Sequence, residues 1–444
     1  MAVDVQPGAS ARASFRQWST VAVLALLAAS AATSRNSINL LAPLIKHDLG
    51  LNDTQISVLS GLAFTLFNAS VLIPCGWLAD RYSRKWVAGL GAVTWSLATI
   101  LLGFARNFPQ LLAGRALIGV AQGALGPTAF SLIRDTLPSR RHGLAFSIYG
   151  AAIGVAAVIS MLFGGALIGV MGEFETHAVP PLGVFQTWQL IFGLAGLGGV
   201  VIAGLAISIR EPPRGGAADP PTASSYGTAF KLIRQRWRVF VPLFLFSGLF
   251  IATGTSINAW VPSVIFRKFG VPLSHVGLNM GLIMLTLGTP SAVIAGYVVD
   301  RLVAKGWKAA PERLAFAISL LTAPLAAAMA LVGQVGQFWA VLCAFLFVGG
   351  FFQPIGPLVL VRISPPGLGG KIMALYTMTI TLIGGVCGPL AVGIVSDRLA
   401  GPAGLAVALS VCVTIGALLC CLAAIWLIAE LRVLRRDDPQ DGGR

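Results

Sequence analysis

The sequence predicts an all-α polytopic membrane protein with twelve transmembrane helices in two six-helix halves. Three observations predict this fold class: the composition, the number of long apolar stretches, and the uneven placement of Lys and Arg. Of the 444 residues, 56% are hydrophobic and 11% are charged, whereas a soluble domain carries about 25% charged residues. So few charges cannot cover the surface of a soluble chain of this length.

Twelve stretches are long enough to cross a bilayer, because a spanning helix needs about 20 mostly apolar residues. In chain order, they are predicted at Trp18–Ala42, Ile56–Ala79, Trp86–Ala105, Pro109–Ile133, Gly143–Val170, Trp188–Ile209, Phe240–Phe266, Val276–Val299, Leu314–Val332, Phe338–Val361, Ile372–Val395 and Gly404–Leu431.

The basic residues predict the orientation of these spans. With twelve spans, 24 of the 31 Lys and Arg residues fall on the side of the amino terminus, among them Arg12, Arg214, Lys308 and Arg444. Short cytoplasmic loops collect positive charge. We therefore expect both termini in the cytoplasm. The basic residues behind the net charge of +15 then lie mostly on the cytoplasmic face, and no nucleic-acid partner is expected.

The first span has an alternative interpretation. Arg12 and Arg16, the apolar run that follows and the small residues 29–31 resemble a cleavable signal peptide. The apolar run resumes at Ile38 after a polar interruption, which favours a retained span.

The chain divides at its longest polar connection, residues 211–238, which begins with a Pro-, Gly- and Ser-rich stretch and ends with the basic, amphipathic KLIRQRWR. This segment is predicted to be a cytoplasmic linker between an N-terminal half, residues 1–210, and a C-terminal half, residues 239–444.

The two halves repeat each other in sequence. AGYVVDR at 295–301 echoes CGWLADR at 75–81, and Gly126-Pro127 recurs as Gly356-Pro357. The Gly-Pro pairs are expected to kink spans four and ten. One class of secondary transporter is built from such parallel repeats, with its site at the membrane midplane between them.

The loop after span two carries a recognisable motif. GWLADRYSRK at 76–85 resembles the signature of the major facilitator superfamily, although Ser83 replaces its second glycine. The resemblance implies that this cluster and its repeat open and close the cytoplasmic side. Gly76 would let two helices approach, Asp80 would face the amino end of a neighbouring helix, and the basic residues would pair across the mouth. The gating set is Gly76, Asp80, Arg81, Arg84, Lys85, Arg115, Asp300 and Arg301. The alternative is that the motif only fixes topology.

Longer stretches narrow the family. SRNSINLLAPLIKHDLGLNDTQ, RALIGVAQGALGPTAFSLIRDTLPSRRHGLAFSI and GGVCGPLAVGIVSDRL are similar to bacterial spinster-like transporters and to organic anion:cation symporters. The resemblance implies that the chain lies in a bacterial inner membrane. Those groups commonly carry an Asp before the span-one arginine and a Glu in span four. Here the two places hold Ser34 and Gln122. Since neither can titrate, the chain is expected to lack the usual buried proton switch.

Arg35 in span one is the first candidate for a ligand contact. A buried arginine is costly unless it faces the bundle interior, water or a counter-charge, and its planar donors suit a carboxylate, phosphate or sulfonate. Asn39 lies one turn further on the same face. The alternative is a structural arginine bonded to helix carbonyls. Arg115, in an R-x-x-x-G pattern with Gly119, has the same two interpretations.

The remaining predicted substrate-binding residues are polar or aromatic side chains inside the spans. They are Gln122, Asn258, Trp260, Gln353 and Tyr376. Such residues are also common as hydrogen-bond contacts between helices.

Together these features predict a secondary transporter that moves a small organic solute, anionic or amphipathic, by alternating access. The alternatives are a sensor on a transporter fold that does not itself transport, and a proton-coupled symporter or antiporter that uses other groups. An enzyme is disfavoured because the spans hold few acids or histidines at one depth. No metal or cofactor is expected, and the expected partners are a small-molecule substrate and the lipid bilayer, with the chain a monomer.

Overall fold

The computed structural model describes residues 15–212, 226–307, 309–365, 368–399, 401 and 403–436. Four basic residues assigned above to the cytoplasmic side, Arg12, Arg214, Lys308 and Arg444, lie outside the described residues, as does 213–225 of the expected linker.

Within these described residues, twelve helical segments are long and apolar enough to cross a membrane, which confirms the predicted fold class. We number them as spans 1–12 in chain order. They are Phe15–Leu49, Asp53–Leu72, Arg84–Leu102, Phe108–Thr136, Arg140–Met171, Thr187–Ser208, Trp237–Phe269, Leu273–Ala304, Ala310–Leu331, Val335–Ile363, Gly369–Ser396 and Gly404–Val433. The helices of spans 2 and 12 continue to Arg81 and Arg436. Span 1 is a single unbroken helix of 35 residues.

Spans 4 and 10 are each broken near the predicted Gly-Pro pair. Span 4 consists of Phe108–Gln122 and Leu125–Thr136, and span 10 of Val335–Gly350 and Ile355–Ile363. A proline ring clashes with the carbonyl four residues earlier and offers no amide hydrogen. Each break lies a few residues before the proline, as this clash requires.

In the part of the chain that the structure describes, three spans contain a π turn, in which the backbone hydrogen bonds run to the fifth residue and the helix is wider. The π turns are Val58–Leu62 in span 2, Met284–Gly288 in span 8 and Ile383–Cys387 in span 11. Pro290 follows the π turn of span 8 and Pro389 follows that of span 11, so the widening accommodates the amide hydrogen that each proline lacks.

Short 3₁₀ segments, Ser139–Arg141 and Leu205–Ser208, lie at the start of span 5 and the end of span 6. Between spans 5 and 6, two antiparallel strands, β1 (Thr176–Val179) and β2 (Gly183–Gln186), form a hairpin in which Thr176 pairs with Gln186. The helix Tyr226–Gln235, here called the linker helix, precedes span 7.

The spans pack in two groups of six. In the first group, span 1 packs against span 5, span 2 against span 4, and span 3 against spans 4 and 6; in the second, span 12 packs against spans 7 and 9. Span 5 meets span 8, span 2 meets span 11 and span 1 meets span 7 between the groups. We call the end of the bundle where span 1 begins and span 12 ends the terminal end, and the other the opposite end.

Candidate functional site

A cavity of about 170 Å³ lies within the first six spans, among spans 1, 2, 4 and 5. It adjoins the break in span 4. Its lining residues are Ala28, Ala31, Ala32, Arg35, Phe64, Asn68, Leu72, Gln122, Gly123, Leu125, Gly126, Tyr149 and Ile153. No acidic side chain is among these lining residues. The predicted residues Arg35 and Gln122 therefore share one cavity.

Arg35 carries the positive charge of this cavity. Its guanidinium carbon lies 5.4 Å from the centre of the Phe64 ring, which holds it by a cation–π contact. Among the described residues, the guanidinium has no hydrogen-bond or ion-pair partner, and five N–H donors are therefore available to a ligand.

Three polar side chains surround Arg35. Gln122 donates its amide N–H to the carbonyl of Ala31 at 2.9 Å, and Asn68 donates to the carbonyl of Gly119 at 3.0 Å. Both side chains thereby join two helices while lining the cavity. The third, Tyr149, is 6% exposed and was not among the predicted site residues. Its position on span 5 gives no sequence signal, since only the packing of span 5 against span 1 brings it near Arg35.

Arg115 lies next to the cavity but is fully buried. It donates to the carbonyls of Leu59 at 2.8 Å, of Arg35 at 3.2 Å and of Ser60 at 3.4 Å. Two of these carbonyls belong to the π turn of span 2. These contacts match the structural alternative for Arg115, in which the side chain ties span 4 to spans 1 and 2. Its predicted gating role stays a prediction.

The other predicted substrate-binding residues do not line the cavity. Asn39 donates to the side chain of Asn258 at 2.6 Å, so the two join span 1 to span 7. Trp260 is buried and donates its indole N–H to the carbonyl of Pro389 at 3.1 Å.

Two further predicted residues lie in the last six spans. Gln353 is exposed within the break of span 10. Tyr376 is 2% exposed and packs against Phe244, with 5.5 Å between the ring centres. In this conformation, neither residue is among those that line the Arg35 cavity.

A cluster that the sequence did not predict joins the two groups of spans at the opposite end. It consists of Lys46, Asp53, Arg267, Ser396 and Asp397, which line a polar cavity of about 240 Å³. We call it the opposite-end cluster. At its centre, the residue Asp53 is 3% exposed. Arg267 donates two hydrogen bonds to it at 2.8 and 2.9 Å, and Ser396 donates one at 2.6 Å. Lys46, from the same group of spans as Asp53, also pairs with it.

Asp397 completes the cluster by capping span 2 from span 11. Its carboxylate accepts the backbone N–H groups of Asp53 and Thr54, each at 2.8 Å, and the Thr54 hydroxyl at 2.6 Å. The first N–H groups of a helix have no partner within it and carry a partial positive charge. A carboxylate from the other group of spans satisfies them here, so the amino end of span 2 is tied to span 11.

Glycines allow the spans to touch near this cluster. An added Cβ at Gly61 would collide with the carbonyl of Gly385, and one at Gly277 would lie 2.7 Å from the carbonyl of Met161. A Cβ at Gly393 would lie 2.6 Å from the carbonyl of Asp53. All three contacts cross between the two groups, which are therefore closed against each other at the opposite end.

At the terminal end, the residues predicted to form the gate, Gly76, Asp80 and Asp300, have open surroundings. A Cβ added at Gly76 would meet no atom within 4 Å, so nothing packs against this face of Gly76 in this conformation, and its expected role in bringing two helices together stays a prediction. Asp80 and its repeat Asp300 are exposed.

The basic gating residues also make local contacts. Arg81 lies over the Trp77 ring, Lys85 over the Trp86 ring and Arg301 over the Tyr297 ring, at 5.4, 5.4 and 5.6 Å. None of these contacts crosses to the other group of spans.

Arg84 is 2% exposed and sits in a network inside the first six spans. It pairs with Asp135 and with Glu211, and donates to the hydroxyl of Ser131 at 2.9 Å. In this conformation Arg84 is paired with residues of the first six spans and the start of the linker, and its expected pairing across the mouth stays a prediction. Burial raises the pKa of Glu211, but hydrogen bonds from Ser83 and Arg84 outweigh it and hold the pKa below its usual range.

Comparison with known proteins identifies the family. Residues 24–389 match the family model described as Major Facilitator Superfamily. The chain belongs to the major facilitator superfamily. As a member, it is a secondary transporter and an integral membrane protein, not an enzyme.

Relatives within the superfamily are distant in sequence. An "MFS-type efflux pump" of Mycolicibacterium smegmatis is 26% identical over 395 residues, covering 86% of this chain and 85% of the relative. A "Probable L-galactonate transporter" of Escherichia coli is 26% identical over 61% of this chain and 59% of its own length. The Drosophila melanogaster "Protein spinster" is 24% identical over 70% of this chain and 50% of its own.

The fold matches solved superfamily structures. A bacterial homologue of the human lysosomal transporter spinster, described as inward-facing and unoccupied, superposes with a TM-score of 0.82 at 20% identity, covering 97% of this chain and 100% of the other. The nucleoside transporter NupG gives a TM-score of 0.71 at 12% identity, covering 94% and 100%. The expected spinster-like fold is thus confirmed.

Proposed function

We propose that this transporter moves a small organic anion across the bacterial inner membrane by alternating access, with Arg35 as the contact for the anionic group. The observation that carries the proposal is the unpartnered Arg35 guanidinium facing a cavity without acidic side chains. An arginine at this depth costs about 3 kcal/mol or more unless a counter-charge or water compensates it. A carboxylate or phosphate of the substrate supplies that charge.

The chemistry of the cavity agrees with this substrate class. A planar guanidinium binds a carboxylate through two parallel hydrogen bonds, and the Tyr149 hydroxyl and the Gln122 amide can add neutral donors on either side. The E. coli relative is named for L-galactonate, which is a sugar acid and therefore an anion. A sugar acid is accordingly the first substrate to test.

The conformation of the bundle suggests how the site is reached. The halves are in contact at the opposite end through Asp53, Arg267 and Asp397, whereas at the terminal end Asp80 and Asp300 are exposed and a Cβ added at Gly76 would meet no atom. We assign the terminal end to the cytoplasm because most Lys and Arg residues lie there. The structure then corresponds to an inward-open state, with residues 1–210 and 239–444 as the rocking halves and 211–238 as the linker.

We further propose that transport proceeds without a proton switch beside Arg35. Ser34 is buried and Gln122 lines the cavity, and neither can take up a proton. A cavity without titratable acids binds its substrate with an affinity set by the protonation state of the substrate. Uniport or exchange is then the expected mode.

Counterflow in proteoliposomes tests the proposal. Vesicles loaded with unlabelled galactonate should accumulate labelled galactonate when they contain the wild-type protein. The Arg35→Ala variant should lose this accumulation, and Arg35→Lys should retain part of it because the charge remains while the planar fork is lost. Arg106→Ala is the matched control, since Arg106 is an exposed arginine in the loop between spans 3 and 4. Counterflow that persists in Arg35→Ala at wild-type affinity would refute the assignment.

Orientation needs its own measurement. Single cysteines at Lys305 and Arg106, both exposed and at opposite ends of the bundle, should be reached by an impermeant thiol reagent from the cytoplasmic and periplasmic sides respectively. The reverse pattern would overturn the assignment of the terminal end.

A further inference from the structure

Four basic side chains lie close together where the linker helix meets span 7. They are Lys231, Arg234, Arg236 and Arg238, and all four are exposed. Within the described part of the chain, no carboxylate lies within ion-pair distance of any of them. We call these residues, together with Phe230 and Trp237, the linker-helix surface.

The other face of the linker helix is anchored to the protein. Ala229 is completely buried, and Leu232 and Ile233 pack against the core that includes Val239 and Phe240 of span 7. Lys231 and Arg234, three residues apart, share the opposite face. The packing therefore holds the basic face outward in a fixed orientation.

Two aromatic residues show that this surface lies at the membrane boundary. Trp237 is the first residue of span 7 and is 48% exposed, while Phe230 is 64% exposed. The Trp237 ring packs edge-on against Trp426 of span 12, with 6.0 Å between the centres, and the Arg238 guanidinium lies 5.8 Å from the Trp237 ring. Exposed aromatic rings at the end of a span lie at the level of the headgroups, and long basic side chains beside them reach the same level.

We propose that the linker-helix surface binds the headgroups of anionic phospholipids in the leaflet at the terminal end. Several Lys and Arg residues on an amphipathic helix next to a span are the arrangement that attracts anionic lipid, and arginine matches the phosphate geometry. The exposed apolar rings favour a lipid over an acidic protein, because they have an acyl boundary to enter only at a membrane. This site is separate from the Arg35 cavity and does not depend on the proposed substrate.

Lipid titration of the full-length protein tests the proposal. The purified protein in neutral detergent is titrated with fluorescent phosphatidylglycerol, and with phosphatidylcholine as the zwitterionic comparison. Each charge removed near the surface should weaken binding about fivefold. The Lys231→Gln/Arg234→Gln variant should therefore bind phosphatidylglycerol ~25-fold more weakly, while Lys231→Arg/Arg234→Lys should bind like the wild type.

The control removes the same charge at the same end of the bundle. Lys305 and Arg313 are exposed and lie outside the linker helix and span 7, after span 8 and at the start of span 9, so Lys305→Gln/Arg313→Gln should leave the affinity for phosphatidylglycerol nearly unchanged. Equal losses in the two variants would overturn the proposal, because they would show general attraction to a basic face. Wild-type affinity in Lys231→Gln/Arg234→Gln, or equal binding of phosphatidylcholine, would overturn it too. If that variant does not fold, Arg236→Gln/Arg238→Gln provides the same test.

Discussion

Replacing Asp53 by Asn should open the opposite end of the bundle. The Asp53 carboxylate accepts two hydrogen bonds from Arg267 and one from Ser396, and all three connect the two groups of spans. Asparagine has almost the same shape but no charge. The asparagine can still accept a hydrogen bond from the Ser396 hydroxyl, whereas Arg267 loses its ionic partner.

The magnitude follows from the geometry of the Arg267 pair. A hydrogen bond between charged groups contributes about 1.5–3 kcal/mol. The Arg267 side chain is 21% exposed, while that of Asp53 is 4% exposed, so water screens part of the interaction. Taking about 1 kcal/mol for each of the two bonds gives about 2 kcal/mol. This corresponds to a roughly thirtyfold shift of the population towards the state open at the opposite end.

Distance measurements between spin labels can detect this shift. In a variant whose six cysteines, Cys75, Cys343, Cys387, Cys412, Cys420 and Cys421, are replaced, labels at Arg106 and Gln337 report the separation of the two groups at the opposite end. Both positions are exposed. The Asp53→Asn variant should populate a longer distance that is nearly absent from the parent.

Asp48→Asn is the matched control. Asp48 lies at the same end and accepts the indole N–H of Trp188 at 3.0 Å, a contact inside the first six spans. Its replacement should leave the distance distribution unchanged. The reasoning fails if Asp53→Asn matches the parent, or if Asp48→Asn produces the same longer distance. A double-mutant cycle that combines Asp53→Asn with Arg267→Gln measures the coupling free energy between Asp53 and Arg267 directly.

Three further predictions concern other contacts. Gly61→Ala places a methyl group against the carbonyl of Gly385 and should open the opposite end in the same label assay, whereas Gly76→Ala, whose methyl meets no atom, should not. Glu211→Gln should lower the melting temperature at neutral pH. Because the pKa of Glu211 is lowered in the folded state, the ionised carboxylate stabilises the fold, and this stabilisation is lost as the pH falls through that pKa. The melting temperatures of the two proteins should therefore converge at acidic pH. Arg115→Met should reduce unfolding stability by about 1–3 kcal/mol in denaturant titration, since a buried carbonyl loses its donor, while ligand affinity of the folded fraction stays constant.

The fold was largely predictable because membrane spans leave a strong signal in sequence. Each span needs a long apolar run, and the breaks in spans 4 and 10 follow from prolines at 127 and 357. The π turn at 58–62 was not predictable, since no proline causes it. Two of its carbonyls, those of Leu59 and Ser60, accept hydrogen bonds from Arg115, a partner more than fifty residues away.

The site was predictable only in part. A lone charge in an apolar span is conspicuous, so Arg35 could be found, and so could Gln122 from its position before a Gly-Pro pair. Tyr149 could not be found because an aromatic residue in an apolar helix is common. Asn39 lies one turn from Arg35 but bonds to Asn258, which shows that sharing a helix face does not mean sharing a cavity.

The opposite-end cluster was missed for a related reason. Asp53 and Asp397 lie 344 residues apart in the chain, and each alone looks like an ordinary residue at a helix end. A signal did exist in Asn52 and Gln55, which form a capping box and mark the start of span 2. That signal locates the helix end but cannot name the distant residue that covers it.

The unbroken helix of span 1 mechanically connects features that otherwise look independent. It carries Arg35 in the cavity, Asn39 at the contact with span 7 and Lys46 in the opposite-end cluster. Eleven residues of helix place Lys46 about 16 Å along the axis from Arg35. A ligand that displaces Arg35 tilts the same helix that holds Lys46 against Asp53. Binding in the cavity and closure of the opposite end are therefore coupled through the helix of span 1.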